Sequence, residues 1–206
     1  FLNEDDALPT QVFTNSEITG YLKRTSEEGH KVGGFIIGLR SGPEGHGSSL
    51  GNNCQGTTYY SRLRHDGLWQ LAKELKHPGL SVLISRNPWP SEGELPLDKW
   101  IGMKFVIYND MHNHVHLEAW LDLSEGKKGG EWQYLGGYVD RGYWQQDSEY
   151  GEVSALGCNY DESHVISTGG VAIIRNTMGS AEYKWLNLRE IEPPSTRHIV
   201  DSFNAH

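Results

Sequence analysis

Residues 99–123, KWIGMKFVIYNDMHNHVHLEAWLDL, decide the fold class. Apolar and polar side chains alternate on both sides of the polar break NDMHN. A period of two is typical of β-strands that bury one face, because successive side chains point to opposite sides of a sheet. The break between the two alternating segments predicts the tip of a hairpin. The stretch therefore predicts two antiparallel strands that share one core face.

The alternation also assigns each side chain of this predicted hairpin to a face. The core rows are Ile101, Met103, Phe105 and Ile107 on the first strand, and Val115, Leu117, Ala119, Leu121 and Leu123 on the second. The opposite rows are Trp100, Lys104 and Tyr108 on the first strand, and His114, His116, Glu118, Trp120 and Asp122 on the second. We therefore expect indoles, imidazoles and cations to share the face that points away from the core.

Short alternating segments separated by Gly, Asn, Asp and Pro recur along the chain, which is typical of an all-β sandwich or barrel. The predicted strands are 13–24, 33–41, 56–66, 68–77, 99–109, 114–123, 131–140, 170–177 and 181–191. Helical periodicity is nearly absent, and its one candidate, 68–76, fits a strand equally well. Asp66-Gly67 predicts a two-residue hairpin turn. Long loops are expected at 42–55, 78–98 and 141–164, where binding residues often lie on β-scaffolds.

Composition limits the partners. The 206 residues suit a single domain, 1–206, with a core at 12–192 and a tail at 193–206. The net charge of −9 argues against a nucleic-acid partner. No apolar run approaches the roughly 18 residues of a membrane span, and we expect a monomer. Cys54 and Cys158 are too few for a cysteine metal site. They are either two unrelated small buried residues or a disulfide, which would indicate a secreted, extracellular protein.

The predicted polar rows hold aromatic rings beside cations, which suits an acidic sugar polymer. Ring faces stack on pyranose C–H groups, and cations pair with carboxylates. The remaining strands add Arg40, Tyr60, Arg62, Arg64, Arg175 and Tyr183, and segment 68–77 exposes either Gln70, Glu74 and Lys76 or Trp69 and Lys73. Our hypothesis is that these side chains converge in one groove. The alternative is that they form structural cross-strand pairs.

Metal chemistry is a further alternative. His112, His114 and His116 share a spacing of two, and imidazoles suit zinc or copper. However, residues two apart on a strand are about 6–7 Å apart, which is too wide for all three to reach one ion easily. A structural calcium ion held by loop carboxylates is also open, at NEDD (3–6) or NYDES (159–163).

Two reactions fit the residue types. Glycoside hydrolysis would use two acids across a groove, for which Glu118 and Glu74 are the candidates. β-Elimination on a uronic acid polymer would need Arg, Gln or His to neutralise the carboxylate and a Tyr, His or Lys to move the proton. A glycan-binding surface without catalysis would use the same residue types.

Several segments resemble secreted concanavalin A-like jelly-roll proteins, and among these the glucuronan lyase-like and alginate lyase-like polysaccharide lyases. The segments are YYSRLRHDGLWQLAKELKHP (59–78), DKWIGMKFVIYN (98–109), VHLEAWLD (115–122) and VAIIRNTMGSAEYKWLNLREI (171–191). The resemblance covers about 12–192 and echoes the alginate lyase pattern only in part: RLR stands for the Arg-rich strand and EYKW offers Tyr183. Gln70 lacks the histidine that follows in that pattern, so His46 or His116 would have to substitute.

The resemblance implies a jelly roll of two antiparallel sheets and cleavage of a polyuronate without an organic cofactor. We therefore expect a lyase, with a carbohydrate-binding module or a glycoside hydrolase as alternatives. The expected catalytic residues are Tyr183, Tyr108, Arg62, Gln70 and His116. The expected substrate-binding residues are Arg40, Arg64, Lys73, Lys104, Trp100, Glu118 and Trp120.

Overall fold

Ten β-strands and one short α-helix make up the part of the chain that the computed structural model describes, which is residues 12, 14–27, 32–42, 53–89, 93–177 and 179–194. The elements are β1 (Ser16–Arg24), β2 (Gly34–Ser41), β3 (Thr58–Arg64), β4 (Trp69–Lys76), β5 (Gly79–Arg86), β6 (Ile101–Asn109), β7 (Val115–Asp122), β8 (Trp132–Asp140), α1 (Trp144–Asp147), β9 (Val171–Asn176) and β10 (Ala181–Glu190). None of the described helical segments has the length and hydropathy to cross a bilayer.

The strands form two five-stranded antiparallel sheets. Sheet I has the order β10-β1-β6-β7-β8, and sheet II has the order β5-β4-β3-β2-β9. Only some neighbours are consecutive along the chain, since β1 pairs with β6 and β10, and β2 pairs with β9. Long connections that pass from one sheet to the other are typical of a jelly roll. The all-β jelly-roll sandwich predicted from the sequence is confirmed.

The inner faces of the two sheets form one hydrophobic core. The core rows predicted for β6 and β7 are buried and meet Phe35, Leu39, Leu63 and Leu71 of sheet II in the same cluster. The exception is Leu123, which follows the end of β7 and is 38% exposed, so its predicted place in the core is wrong. Removal of this apolar surface from water is the main term that stabilises the sandwich. The outer faces of both sheets remain for other roles.

Strand β5 is missing from the sequence-based prediction, which assigns 78–98 to a loop. The segment GLSVLISR pairs with β4, for example at Leu71–Ile84 and Lys73–Ser81. Its flanking prolines misled the prediction, although Pro78 precedes the strand and Pro88 follows it, so that neither removes an N–H from the ladder. Segment 68–76, the one helix candidate, is β4.

The hairpin predicted at Asp66-Gly67 joins β3 to β4. The N–H of Arg64 donates to the carbonyl of Leu68 at 2.8 Å, and Gly67 has a φ of 83°. Three residues lie between this pair, so the loop is one residue longer than predicted. Glycine suits the last loop position because the left-handed region disfavours residues with a Cβ.

Cys54 and Cys158 form a disulfide across a sequence separation of 104. We expect the Cys54→Ser/Cys158→Ser double variant to lose about 4–5 kcal/mol of unfolding free energy, because the bond restricts a long loop in the unfolded chain. Urea unfolding of the oxidised protein and of the variant measures the difference. A loss below about 1 kcal/mol would contradict the entropic account.

Candidate functional site

The side chains predicted to share one groove occupy three separate places. Cross-strand register puts Lys104, Tyr108, His116, Glu118 and Trp120 on the outer face of sheet I. Arg62, Arg64, Gln70 and Glu74 lie on the outer face of sheet II. Arg40, Lys73 and Tyr183 point toward the interior. Packed sheets lie about 10 Å apart, and their outer faces point in opposite directions. The prediction of a single groove is therefore wrong.

Lys73 is a core residue. Its Nζ lies 2.6 Å from Oδ2 of Asp140, and both side chains have 0% exposure. The Tyr59 hydroxyl also donates to Asp140 at 2.6 Å. Burial lowers the pKa of Lys73, and Asp140 opposes that shift. Lys73 therefore stabilises the interior of the sandwich and cannot contact a substrate on the surface. Of the two orientations that the sequence left open for β4, the structure has the one in which Trp69 and Lys73 point inward.

Arg40 and Tyr183 are also unavailable on the outer faces. Arg40 is 1% exposed and donates to the carbonyls of Ile166, at 2.9 Å, and Thr14. Burial lowers its pKa to about 10. The Tyr183 ring packs against Phe35, with ring centroids 5.4 Å apart, beside the main core. Tyr183, one of the two tyrosines expected to be catalytic, therefore packs beside the core and does not share a surface with Tyr108, the other.

A cavity of about 270 Å³ opens on the outer face of sheet II. Two cross-strand rows build it: Arg175, Ile36, Arg62 and Gln70 in one, and Ile173, Gly38, Tyr60 and Ala72 in the next. The floor is apolar, since Ile36, Tyr60, Ala72 and Val82 form a second hydrophobic cluster with Leu80 and Ile173. The cavity thus combines an apolar floor with charged groups at its ends.

Arg62 provides the cationic end of the cavity. Its Nε atom is buried and has no hydrogen-bond partner in the described part of the chain. Burial lowers the pKa of Arg62, and the charges of Arg64 and Arg175 lower it further. Arg64 itself is held at the hairpin turn by Asp66, at 3.1 Å from Nε to Oδ1. A partly desolvated guanidinium flanked by like charges favours an incoming anion.

Tyr150 lies beside this cationic end, on the loop after α1. The Val82 N–H donates to the Tyr150 carbonyl at 2.9 Å, which anchors the loop on β5. The Tyr150 hydroxyl accepts a hydrogen bond from the amide of buried Gln70, which is the cross-strand neighbour of Arg62. Gln70 therefore positions Tyr150 and does not itself reach the surface. Sequence periodicity could not find Tyr150, because it lies in an irregular loop.

The other end of the cavity is acidic and polar. Glu74 accepts a hydrogen bond from the Tyr60 hydroxyl at 2.6 Å and lies 2.8 Å from His77 Nδ1. Burial raises the pKa of Tyr60 above its usual range, and the Glu74 charge adds to the shift. Tyr60 therefore stays protonated as a donor. Strand periodicity did not indicate a role for His77, which follows β4 at the turn into β5.

The histidines at the tip of the β6–β7 hairpin share a carboxylate. His114 Nδ1 and His116 Nε2 lie 3.1 and 3.2 Å from Oδ2 of Asp110. Burial alone would raise the pKa of Asp110, but the hydrogen bonds it accepts lower it to about 2. The His116 ring also stacks on Tyr108 at 4.7 Å. The histidines on the outer face of this hairpin therefore belong to a hydrogen-bonded cluster on sheet I, which is remote from the cavity.

Metal ligands are not grouped among the described residues, which contain no set of three or more His, Cys, Asp or Glu side chains able to hold an ion. In NYDES, Asp161 accepts the Ser163 N–H at 2.9 Å. The NEDD stretch and His46 lie outside the described residues. The structural calcium ion stays a prediction.

The acid pair expected for hydrolysis is separated by the sandwich. Glu118 hydrogen bonds to the Tyr108 hydroxyl at 3.1 Å on sheet I, whereas Glu74 lines the cavity on sheet II. Glycoside hydrolases need two carboxyl groups about 5–9.5 Å apart on either side of one bond. Glu118 and Glu74 cannot meet that requirement.

Solved structures share this architecture at low sequence identity. The carbohydrate-binding module CBM66 from Bacillus subtilis has 12% identity and a TM-score of 0.50, with 89% of this chain and 80% of that one covered. The fold is of the concanavalin A-like type. Alginate lyase Aly36B has 14% identity and a TM-score of 0.43, with 88% and 71% covered. These likenesses extend to the fold alone. No protein-family model matches the sequence, and no match was found among curated proteins.

Proposed function

We propose that the protein is secreted and binds an acidic polysaccharide, with a uronate residue seated in the cavity on sheet II. The observation that carries the proposal is the buried Nε of Arg62, which has no hydrogen-bond partner among the described residues and lies beside Arg175 in a cavity with an apolar floor. A carboxylate would satisfy this guanidinium with a charge-assisted hydrogen bond, and the pyranose C–H groups would cover Ile36 and Tyr60. The disulfide supports an oxidising compartment.

We further propose that the bound polymer is cleaved by β-elimination. Arg62 would neutralise the carboxylate, so that the adjacent carbon could lose its proton as the bond to the leaving sugar breaks. As the phenolate, the Tyr150 oxygen would take that proton and then give it to the leaving oxygen, which returns Tyr150 to its starting state. Gln70 is a positioning residue, because its amide holds the Tyr150 hydroxyl beside Arg62. The product would carry an unsaturated uronate end.

The acidic end of the cavity would orient the sugar. Glu74 is fixed by Tyr60 and His77, so its carboxylate is well placed to accept hydrogen bonds from sugar hydroxyls. Gly38 lies between Ile173 and Tyr60 in the second row, and a Cβ there would approach the Tyr60 ring to 3.1 Å. Because Gly38 has no side chain, the Tyr60 ring has room to lie on the cavity floor.

Tyr150→Phe is the variant that tests elimination. We expect the release of unsaturated ends from alginate or polyglucuronate to fall by about 10²–10⁴-fold, since the proton carrier is lost. Retention on the same polymer in affinity electrophoresis should stay unchanged, because the cationic end is intact. Ultraviolet absorbance of the unsaturated product measures the first quantity.

Tyr143→Phe is the matched control, since Tyr143 is an exposed tyrosine of the same loop region at the N-terminal end of α1. It should leave both quantities unchanged. Polymer retention by the wild type without any unsaturated product would replace the lyase with a carbohydrate-binding module. Reducing ends without ultraviolet absorbance would indicate hydrolysis and overturn elimination.

A further inference from the structure

The outer face of sheet I carries an aromatic platform on the opposite side of the sandwich from the cavity. We define it as Tyr21, Trp120, Trp132, Tyr134 and Trp185 with Lys104 and Lys184. Register aligns Lys184, Tyr21, Gly102, Asp122 and Trp132 in one row, and Thr19, Lys104, Trp120 and Tyr134 in the next. The platform crosses all five strands, a width of about 19 Å at ~4.8 Å per strand.

The rings of the platform are in contact with one another and partly open to solvent. Tyr21 lies 5.3 Å from Trp185 and 5.8 Å from Trp132 between ring centroids, and Trp120 lies 5.1 Å from Tyr134. Trp185 is 62% exposed and Tyr134 is 55% exposed. Tyr21 itself is buried, so that the exposed rings lie toward the two edges of the sheet. Exposed aromatic rings grouped on one face mark interaction sites more often than an inert surface.

The backbone aims Trp185 outward at a cost. The register between β1 and β10 shifts at Thr19/Tyr21, which forms a bulge, and Trp185 has a φ of 52°. Non-glycine residues rarely adopt this region, because their Cβ crowds the following carbonyl oxygen. The β7–β8 loop backs the ring, because a Cβ on Gly126 would lie 2.5 Å from Trp185 Cζ3. Bulges often re-aim a side chain beside a functional surface.

Asp122 fixes that loop beneath the platform. Its carboxylate accepts the N–H groups of Ser124, Gly126 and Glu131 at 2.8–3.0 Å, and the Tyr21 hydroxyl donates to it at 2.7 Å. Burial alone would raise the pKa of Asp122, but these hydrogen bonds lower it to about 2. The rings are therefore held in place before any ligand arrives, which reduces the entropic cost of binding.

The charge of the platform indicates what it would bind. Lys184 lies 4.1 Å above the Trp185 ring and 4.4 Å above Trp100, and Lys104 lies 4.4 Å above Trp132. In the described part of the chain neither lysine forms an ion pair, whereas Lys23 on the same face pairs with Glu182 at 2.7 Å. Lys184 also donates to the Glu125 carbonyl at 3.2 Å, which leaves its positive charge without a carboxylate partner. Two ammonium groups without ion-pair partners beside aromatic rings, in a protein of net charge −9, complement an anionic saccharide.

We propose that this platform is a second binding site for an acidic polysaccharide, independent of the cavity on sheet II. A polymer chain would engage one face through stacking on Trp185 and Tyr134 with its carboxylates near Lys104 and Lys184. Another segment would occupy the cavity. Two sites on opposite faces would raise the affinity for long chains far above that for short ones, because the second contact becomes intramolecular.

Calorimetric titration with tetrasaccharides of alginate and of polyglucuronate tests the proposal. Wild type should bind two per protein. Lys104→Gln/Lys184→Gln should bind one, as should Arg62→Ala, and combining all three changes should abolish binding. With long polymer chains, the double lysine variant and Arg62→Ala should each raise the dissociation constant about 10-fold or more. Lys23→Gln, whose lysine is already neutralised by Glu182, is the matched control and should bind two.

The two proposals fail in different ways. A single site that only Arg62→Ala removes would overturn the platform and leave the cavity. A single site that only the lysine variant removes would support the platform and overturn the proposed function. Equal binding of oligothymidylate or of a neutral glucan to the platform would overturn the assignment to acidic saccharides. If the lysine variant unfolds at the same urea concentration as wild type, the loss of a binding site is not caused by unfolding. Trp185→Ala should also remove the binding site on the platform.

Discussion

Arg62→Ala lowers the release of unsaturated ends from an acidic polysaccharide about 100- to 1000-fold, the magnitude expected when a group that stabilises developing negative charge is removed. Unlike Tyr150→Phe, it also weakens binding in the cavity, because a hydrogen bond to a charged group contributes about 1.5–3 kcal/mol. Initial rates of ultraviolet absorbance and oligosaccharide titration give the two quantities. The difference arises because Arg62 holds the carboxylate in both the ground state and the transition state.

Arg64→Gln is the matched control, since Arg64 belongs to the same face of β3 and is already held by Asp66. We expect its turnover to stay within about threefold of wild type, allowing for the lost like charge beside Arg62. If Arg64→Gln abolished turnover while Arg62→Ala did not, the cationic end of the cavity would be misassigned.

Lys73→Met is the variant with the largest expected effect on stability. It leaves the Asp140 carboxylate buried without its ammonium partner, which costs about 3–5 kcal/mol. Tyr59 and the Gly142 N–H still donate to Asp140, but they do not neutralise its charge. Urea unfolding should show the loss, while oligosaccharide binding by the folded fraction stays at the wild-type affinity.

Two further variants separate charge burial from packing. Lys73→Met/Asp140→Asn should recover part of the lost stability, since no unpaired charge remains in the core. Lys76→Met removes a lysine three residues along, at the half-buried end of β4, and should change the unfolding free energy by less than about 0.5 kcal/mol. Weakened saccharide binding by folded Lys73→Met would restore Lys73 to the binding residues.

The fold was largely accessible from sequence because strand periodicity is a local property. The rows Ile101–Ile107 and Val115–Leu121 point inward as predicted, and the hairpin at Gly67 forms. The missed strand β5 has a continuous apolar centre between prolines. It therefore lacks the apolar–polar alternation that predicted the other strands. The helix candidate at 68–76 became β4 because its partners on β3 and β5 satisfy its backbone.

The candidate site was accessible only in part. Arg62 and Glu74 were named, but they were grouped with residues of the other sheet. Tyr150 reaches Gln70, the cross-strand neighbour of Arg62, through a loop anchored on Val82, and His77 reaches Glu74 across a turn. These contacts depend on loop paths that no periodicity encodes. Tyr183 and Lys73 have the right chemistry for a site, yet both point into the core.

The sequence by itself determined the class of fold, the composition of each strand face and the two cysteines able to pair. Only the tertiary structure decided which outer face each polar row belongs to. The physical reason is that alternation distinguishes inward from outward side chains, whereas two opposed sheets both have an outward side. Arg62 and Lys104 therefore look equivalent along the chain, although the whole hydrophobic core lies between them.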